Sequence, residues 1–82
     1  MFENTIFLKN IANYNFNFKN ILKSSNTLLI INCKNLKLKI KSKINKIILQ
    51  NCNNINIKVS NMISGIQIDK SEDVKIIIYK NK

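Results

Sequence analysis

Residues 31–40 read INCKNLKLKI, and residues 50–59 read QNCNNINIKV, so that Cys33 and Cys52 lie 19 residues apart. After each cysteine, apolar residues alternate with polar ones, which is the period of a β-strand with one buried face. A helical period does not fit, because it would spread the lysines of LKLKI around the whole helix. A fixed repeat of about 20 residues in strand-forming sequence indicates a solenoid.

The same pattern of apolar positions extends over nearly the whole chain. The positions predicted to face inward are Ile6, Leu8, Ile11, Tyr14, Phe16, Phe18 and Leu22; Leu28, Ile30, Cys33, Leu36, Leu38, Ile40 and Ile44; Ile47, Leu49, Cys52, Ile55, Ile57, Val59 and Ile63; and Ile66, Ile68, Ser71, Val74, Ile76 and Ile78. We therefore predict an all-β chain that forms a right-handed parallel β-helix without notable α-helices. The right-handed sense is expected from the general preference of connections between parallel strands. The chain forms a single domain, 1–82, whose coils cover about 6–26, 27–45, 46–64 and 65–79.

Two further positions of the repeat predict the corners of the coils. One holds Asn10, Asn32, Asn51 and Lys70, and the other holds Asn13, Asn35, Asn54 and Asp73. Asparagine and aspartate tolerate a left-handed backbone and form local hydrogen bonds, which a tight corner requires. Stacked coils would bring these residues into columns.

The chain is strongly basic, with a formal net charge of +10 and no arginine or histidine. Such a balance favours an acidic partner: nucleic acid, an anionic lipid surface or an acidic protein. No apolar run approaches the roughly 18 residues of a membrane span, and the N-terminus lacks the pattern of a signal peptide. We therefore expect a cytoplasmic protein with reduced cysteines.

Specific residues add a family resemblance to this pattern. NCKN at residues 32–35, KSKINKIILQNC at 41–52, SGI at 64–66 and SEDV at 71–74 resemble the C-terminal β-helical domain of cyclase-associated protein. The resemblance covers roughly residues 6–79. The same fold superfamily includes tubulin-folding cofactor C.

The resemblance implies an actin-monomer-binding module that promotes nucleotide exchange on ADP-actin and filament turnover, associated with the cytoskeleton. It implies binding without covalent chemistry and without a cofactor. The family usually has glycine where Ser42 stands, and carboxylates near Gln50, Ser60 and Gln67. The full family domain also has about two further coils and a C-terminal strand-exchanging hairpin. Two other interpretations stay open: a β-helical scaffold that has lost actin binding, and a basic anionic-surface binder.

Catalysis has few candidate residues. Cofactor C-like proteins stimulate a GTPase with an arginine finger, which a chain without arginine cannot supply, since lysine lacks the planar guanidinium. The absence of histidine removes the usual general base and leaves a lone cysteine nucleophile as the remaining alternative. We expect a protein that is not an enzyme and has no catalytic residues.

Cys33 and Cys52 occupy the same position of the repeat, in a column with Ile11 and Ser71. Two small buried core residues are the favoured interpretation. One coil spacing would also permit a disulfide. Metal binding is disfavoured, because no histidine or third cysteine is present.

The outward positions of the second strand predict a basic face, on which Lys34, Lys37, Lys39, Lys41, Lys43 and Lys58 are the candidate actin contacts. A solvated face that prevents aggregation is the competing interpretation. Nucleic acid is the disfavoured partner, because Tyr14, Phe16 and Phe18 are assigned inward and are not available for base stacking.

Two other surfaces are candidate interfaces. Phe7, Leu29 and Ile48 share an outward position on the first strand, where they would form an apolar patch unless a loop or the N-terminal residues cover it. The last coil would also expose an uncapped edge near Ile76, Ile77 and Ile78. We expect self-association through that edge, or a continuation of the chain beyond it.

Overall fold

A computed structural model of the chain describes residues 4–19 and 22–79. Its strands are β1 (Thr5–Lys9), β2 (Ala12–Phe18), β3 (Thr27–Ile31), β4 (Lys34–Gln50), β5 (Asn53–Asp69) and β6 (Glu72–Ile78). All pairings are parallel, and the described residues contain no helix. The prediction of an all-β parallel solenoid of about four coils is confirmed. Its handedness stays a prediction.

Each coil stacks on the next with equivalent residues in register. Leu28 pairs with Ile6 on one side and Ile47 on the other, and Ile47 pairs with Ile66. β4 and β5 are long because each runs along the second side of one coil, bends, and ends as the first side of the next. Parallel strands so connected place like residues above one another and bury a continuous core.

The predicted corners adopt the left-handed backbone. Asn10, Asn32, Asn51 and Lys70 have φ of 56°, 53°, 53° and 49°, and Asn13, Asn35, Asn54 and Asp73 have φ of 57°, 56°, 57° and 53°. At the second column the side-chain amides form a ladder. Nδ2 of Asn35 donates to Oδ1 of Asn13, and Nδ2 of Asn54 donates to Oδ1 of Asn35, both at 2.8 Å.

The inward side chains of successive coils stack into one core. How far such a side chain is buried depends on its position along the solenoid axis. Leu36 and Ile55 are fully buried, because a coil lies on each side of them. Tyr14 occupies the same column but is 55% exposed, and Ile68 and Ile78 are 48% and 51% exposed. All three keep their predicted columns, and they are exposed because the described residues provide no further coil beside them.

The segment around Ile44, between the second side of one coil and the first side of the next, departs from the predicted register. Ile44 pairs with Met62 rather than with Ile63, because register shifts lie on both sides of this pair. Met62 packs against the core, whereas Ile63 is 59% exposed. The inward assignment of Ile63 is therefore wrong: a shift of one residue exchanges the two faces of a strand. Gly65, with a positive φ of 102°, stands where the original register resumes.

A side chain from the end of the described chain reaches back along the axis. The hydroxyl of Tyr79 donates to the backbone carbonyl of Ile40 at 3.1 Å, across a sequence separation of 39 residues. Ile40 is the last residue before the register shift in β4. The backbone N–H of Tyr79 donates to the carbonyl of Val59 in the intervening coil. Tyr79 therefore connects the last coil to two others.

Candidate docking face

The outward side chains of β2, β6 and the first halves of β4 and β5 form two ladders, which together we name the lysine face. One ladder holds Asn15, Lys37, Asn56 and Lys75, and the other holds Asn17, Lys39, Lys58 and Ile77. The repeat that aligns the inward positions also predicts these two ladders of outward residues, and the strand pairing confirms them. The alternation of side chains along each strand turns these residues outward while their neighbours enter the core.

The lysine face is concave. The eight side chains line a groove of about 560 Å³, whose floor also includes the inward residues Phe16, Leu38 and Ile57. Lys37, Lys39 and Lys58 are exposed. Neighbouring strands lie about 4.8 Å apart, so these ammonium groups share one small region of surface. An acidic partner would relieve the repulsion between them.

The six candidate lysines separate into three locations. Lys37, Lys39 and Lys58 line the groove. Lys34 lies at the corner between Cys33 and Asn35, where it lines a different hollow. The structure thus brings together half of the candidate set.

Lys41 and Lys43 follow the bend of β4 and do not line the groove. Lys75 does line it, although it was not among the candidate contacts. The signal that locates Lys75 is its place in the ladder, three coils after Asn15. Which of these lysines contact a partner stays a prediction.

The apolar ladder on the first side is also in the predicted register. Phe7 pairs with Leu29, Leu29 with Ile48, and Ile48 with Gln67. Leu29 and Ile48 are half-buried, and Phe7 is 46% exposed. The N-terminal residues 1–3, a predicted cover for this patch, lie outside the described residues. Its role as an interface stays a prediction.

Both cysteines are buried and free, so the core interpretation is confirmed and no disulfide joins them. The thiol of Cys33 donates to the carbonyl of Ile31 at 3.2 Å, and that of Cys52 donates to the carbonyl of Gln50 at 3.3 Å. Burial raises the pKa of the Cys33 thiol, although nearby backbone hydrogen bonds oppose part of this rise. No cluster of three metal-ligating side chains occurs among the described residues.

The comparison with known families decides the ancestry. The family model described as "Adenylate cyclase associated (CAP) C terminal" matches residues 4–81. The chain belongs to this family. The match covers nearly the whole chain, so it includes all four coils, the asparagine columns and the lysine face of this CAP C-terminal domain. The resemblance seen in the sequence is thereby confirmed.

Searches of curated proteins and of solved structures gave no significant match to this CAP C-terminal domain. In the described part of the chain, no helix is long and apolar enough to cross a membrane.

Proposed function

We propose that the chain binds monomeric actin through the lysine face and promotes nucleotide exchange on ADP-actin. Membership of the CAP C-terminal family over residues 4–81 carries this proposal. Actin is an acidic protein, and the concave basic groove offers a surface of opposite charge. Electrostatic complementarity of this kind accelerates encounter and selects the orientation of docking. The site of action would be the cytoplasm, on the actin cytoskeleton.

The proposed activity is binding without covalent catalysis. The groove is lined by lysine, asparagine and apolar side chains, which suit a protein surface better than bond-breaking chemistry. Exchange would follow from preferential binding to the actin conformation that releases nucleotide, since a ligand shifts an equilibrium through differential affinity.

Binding of the purified chain to ADP-actin monomers at physiological salt tests the proposal. We expect a saturable complex and faster release of a fluorescent nucleotide from actin. The double variant Lys37→Glu/Lys39→Glu should weaken binding at least about tenfold, because two attractive contacts become repulsive. The control Lys23→Glu/Lys70→Glu changes the net charge equally outside the groove, and should bind nearly as well as the parent.

Three outcomes would overturn the proposal. No detectable complex would favour a scaffold that has lost actin binding. Equal weakening by both double variants would show that only net charge matters. Steeply salt-dependent binding to any oligonucleotide, without binding to actin, would favour an anionic-surface binder. The oligonucleotide measurement is informative because the ring of Tyr14 is exposed. Nucleic acid was disfavoured partly because that ring was assigned an inward position.

A second partner that we propose is another copy of the chain, through the open edge of the last coil. β6 pairs with β5 alone among the described strands, and Ile77 and Ile78 beside that edge are exposed. Parallel strands with an unpaired edge readily accept a further strand.

A further inference from the structure

The acidic side chains of the described residues are all in one place. Asp69, Glu72 and Asp73 stand at the corner of the last coil, and all three are exposed. The chain as a whole carries a net charge of +10. This corner is therefore the part of the described surface where a basic partner meets carboxylates.

The columns of the solenoid connect this acidic corner to the opposite end of the molecule. The column of Asp69 passes through Gln50 and Ile31 and begins at Lys9. The column of Asp73 begins at Asn13, since both occupy the second left-handed corner position. A first coil stacked on the last coil in the same register would thus place Lys9 against Asp69, and Asn13 against Asp73.

The asparagine ladder has a direction that fits this stacking. Each Nδ2 donates toward the first coil, from Asn54 to Asn35 and from Asn35 to Asn13. Oδ1 of Asn13 already accepts a hydrogen bond, so its amide nitrogen is the donor end of the ladder. The carboxylate of Asp73 accepts hydrogen bonds but, when ionised, cannot donate. One end of the molecule supplies a donor, and the other supplies an acceptor.

The apolar residues at the two ends also correspond. Ile78 shares a column with Phe18, and Ile68 shares one with Leu8. Ile78 and Ile68 are about half exposed, whereas the equivalent side chains of the inner coils are buried. A stacked coil would cover them as each inner coil covers its neighbour. Each half-exposed aliphatic side chain so covered would contribute favourably to association.

We propose that two copies of the chain associate head to tail, with the first coil of one copy stacked on the last coil of the other. This inference rests on the proposed self-association. It adds that the last coil of one copy binds the first coil of the second copy. The contact is heterologous, so each dimer keeps one free head and one free tail and can add further copies. The stacking uses the outer edges of β2 and β6, whereas the lysine face consists of the outward side chains of these strands and of the inner ones.

Net repulsion between copies does not prevent the contact. At physiological ionic strength the Debye length is about 8 Å, so charges spread over the two molecules are largely screened. The pairs Lys9–Asp69 and Asn13–Asp73 would lie at contact distance, so salt weakens their attraction less than it weakens the repulsion between distant charges.

Sedimentation velocity over a concentration series at physiological salt tests the proposal. The weight-average sedimentation coefficient should rise with concentration beyond that of a dimer. Lys9→Glu and Asp69→Lys should each weaken association about tenfold or more, because each brings like charges together. An equimolar mixture of the two variants should associate again, since the introduced glutamate and lysine form a reversed pair. Lys41→Glu, with the same charge change on an exposed residue of an inner coil, should leave association unchanged.

The outcomes separate this proposal from the others. Association weakened by Asp69→Lys but not by Lys9→Glu would indicate a tail-to-tail dimer and overturn the head-to-tail contact alone. A monomer at every concentration would overturn self-association altogether. Lys9→Glu should leave binding to ADP-actin unchanged, so failure of the actin proposal is detected independently. Circular dichroism of both variants should match the parent, because Lys9 and Asp69 are exposed.

Discussion

The two inner coils and the last coil are built from the same repeat, yet their side chains have different environments. Ile40, Val59 and Ile78 occupy one column; the first two are fully buried, and the third is 51% exposed. Their chemistry is nearly the same. The difference shows that burial in a solenoid comes from the neighbouring coils, which agrees with stability as a sum of repeat and interface terms.

The largest expected effect is on the column that defines this comparison. Ile40→Ala should lower the free energy of unfolding by about 2–5 kcal/mol, because it leaves a cavity between coils. Ile78→Ala should cost about 1 kcal/mol or less, since half of that side chain is already in water. Urea denaturation of both variants measures the difference. Equal losses in the free energy of unfolding for the two variants would mean that the side chain of Ile78 is buried in solution.

The corner columns should give the next largest effect. Asn35→Ala forces a left-handed backbone on alanine, at about 1–2 kcal/mol. It also removes the ladder bonds to Asn13 and Asn54, each with a net contribution of about 0.5–1.5 kcal/mol. Asn35→Gly tolerates this backbone conformation, but it loses the amide and increases the conformational entropy of the unfolded chain. Chemical denaturation should therefore show a lower free energy of unfolding for Asn35→Ala than for Asn35→Gly. The reverse order would show that the positive φ of 56° at this position does not determine the loss of stability.

Asp73→Asn should make the last coil resemble the inner ones. The new amide would donate to Oδ1 of Asn54, as Asn54 does to Asn35. We expect a gain of about 0.5–1 kcal/mol in the free energy of unfolding. Glu72→Gln removes the same charge next to the ladder without extending it, and serves as the control. Equal stabilisation by both variants would assign the gain to charge alone.

The smallest expected effect concerns the cysteine column, in which Cys33 lies in an inner coil and Ser71 in the last. Burial raises the pKa of Cys33 above its ordinary value of 9.0. The unfolded chain therefore loses this proton at lower pH than the folded chain, so the stabilising contribution is complete below 9.0 and is lost as pH rises through the raised pKa.

Comparison of the parent with Cys33→Ala isolates this effect from the deprotonation of lysines. The stability difference between the two should be constant at neutral pH and should shrink as pH rises above 9.0. Denaturation curves at several pH values measure it. A difference that grows with pH would contradict the raised pKa of the buried thiol.

Much of the fold was predictable, because a solenoid repeats its signals. Asparagine recurs where the backbone turns left-handed, and alternation recurs where strands have one buried face. Both columns of corner residues and both lysine ladders followed from this register. Family ancestry was also predictable, since specific residues at specific spacings carried it.

Three features were not predictable, for different physical reasons. Met62 and Ile63 are both apolar and adjacent, so hydropathy does not show which one faces inward, and local register shifts decide it. The exposure of Tyr14 depends on whether another coil lies beside it, which no single residue encodes. The concavity of the lysine face likewise arises from the path of the backbone rather than from residue type.

The hydrogen bond from Tyr79 to the carbonyl of Ile40 has a consequence for how the molecule opens. An array with only nearest-neighbour contacts frays from its end one unit at a time, and its terminal amides exchange with solvent fastest. A link that passes over the intervening coil makes release of the end depend on two coils at once. Local opening then becomes more cooperative, and hydrogen-exchange protection should extend further into β6 than its exposed edge implies.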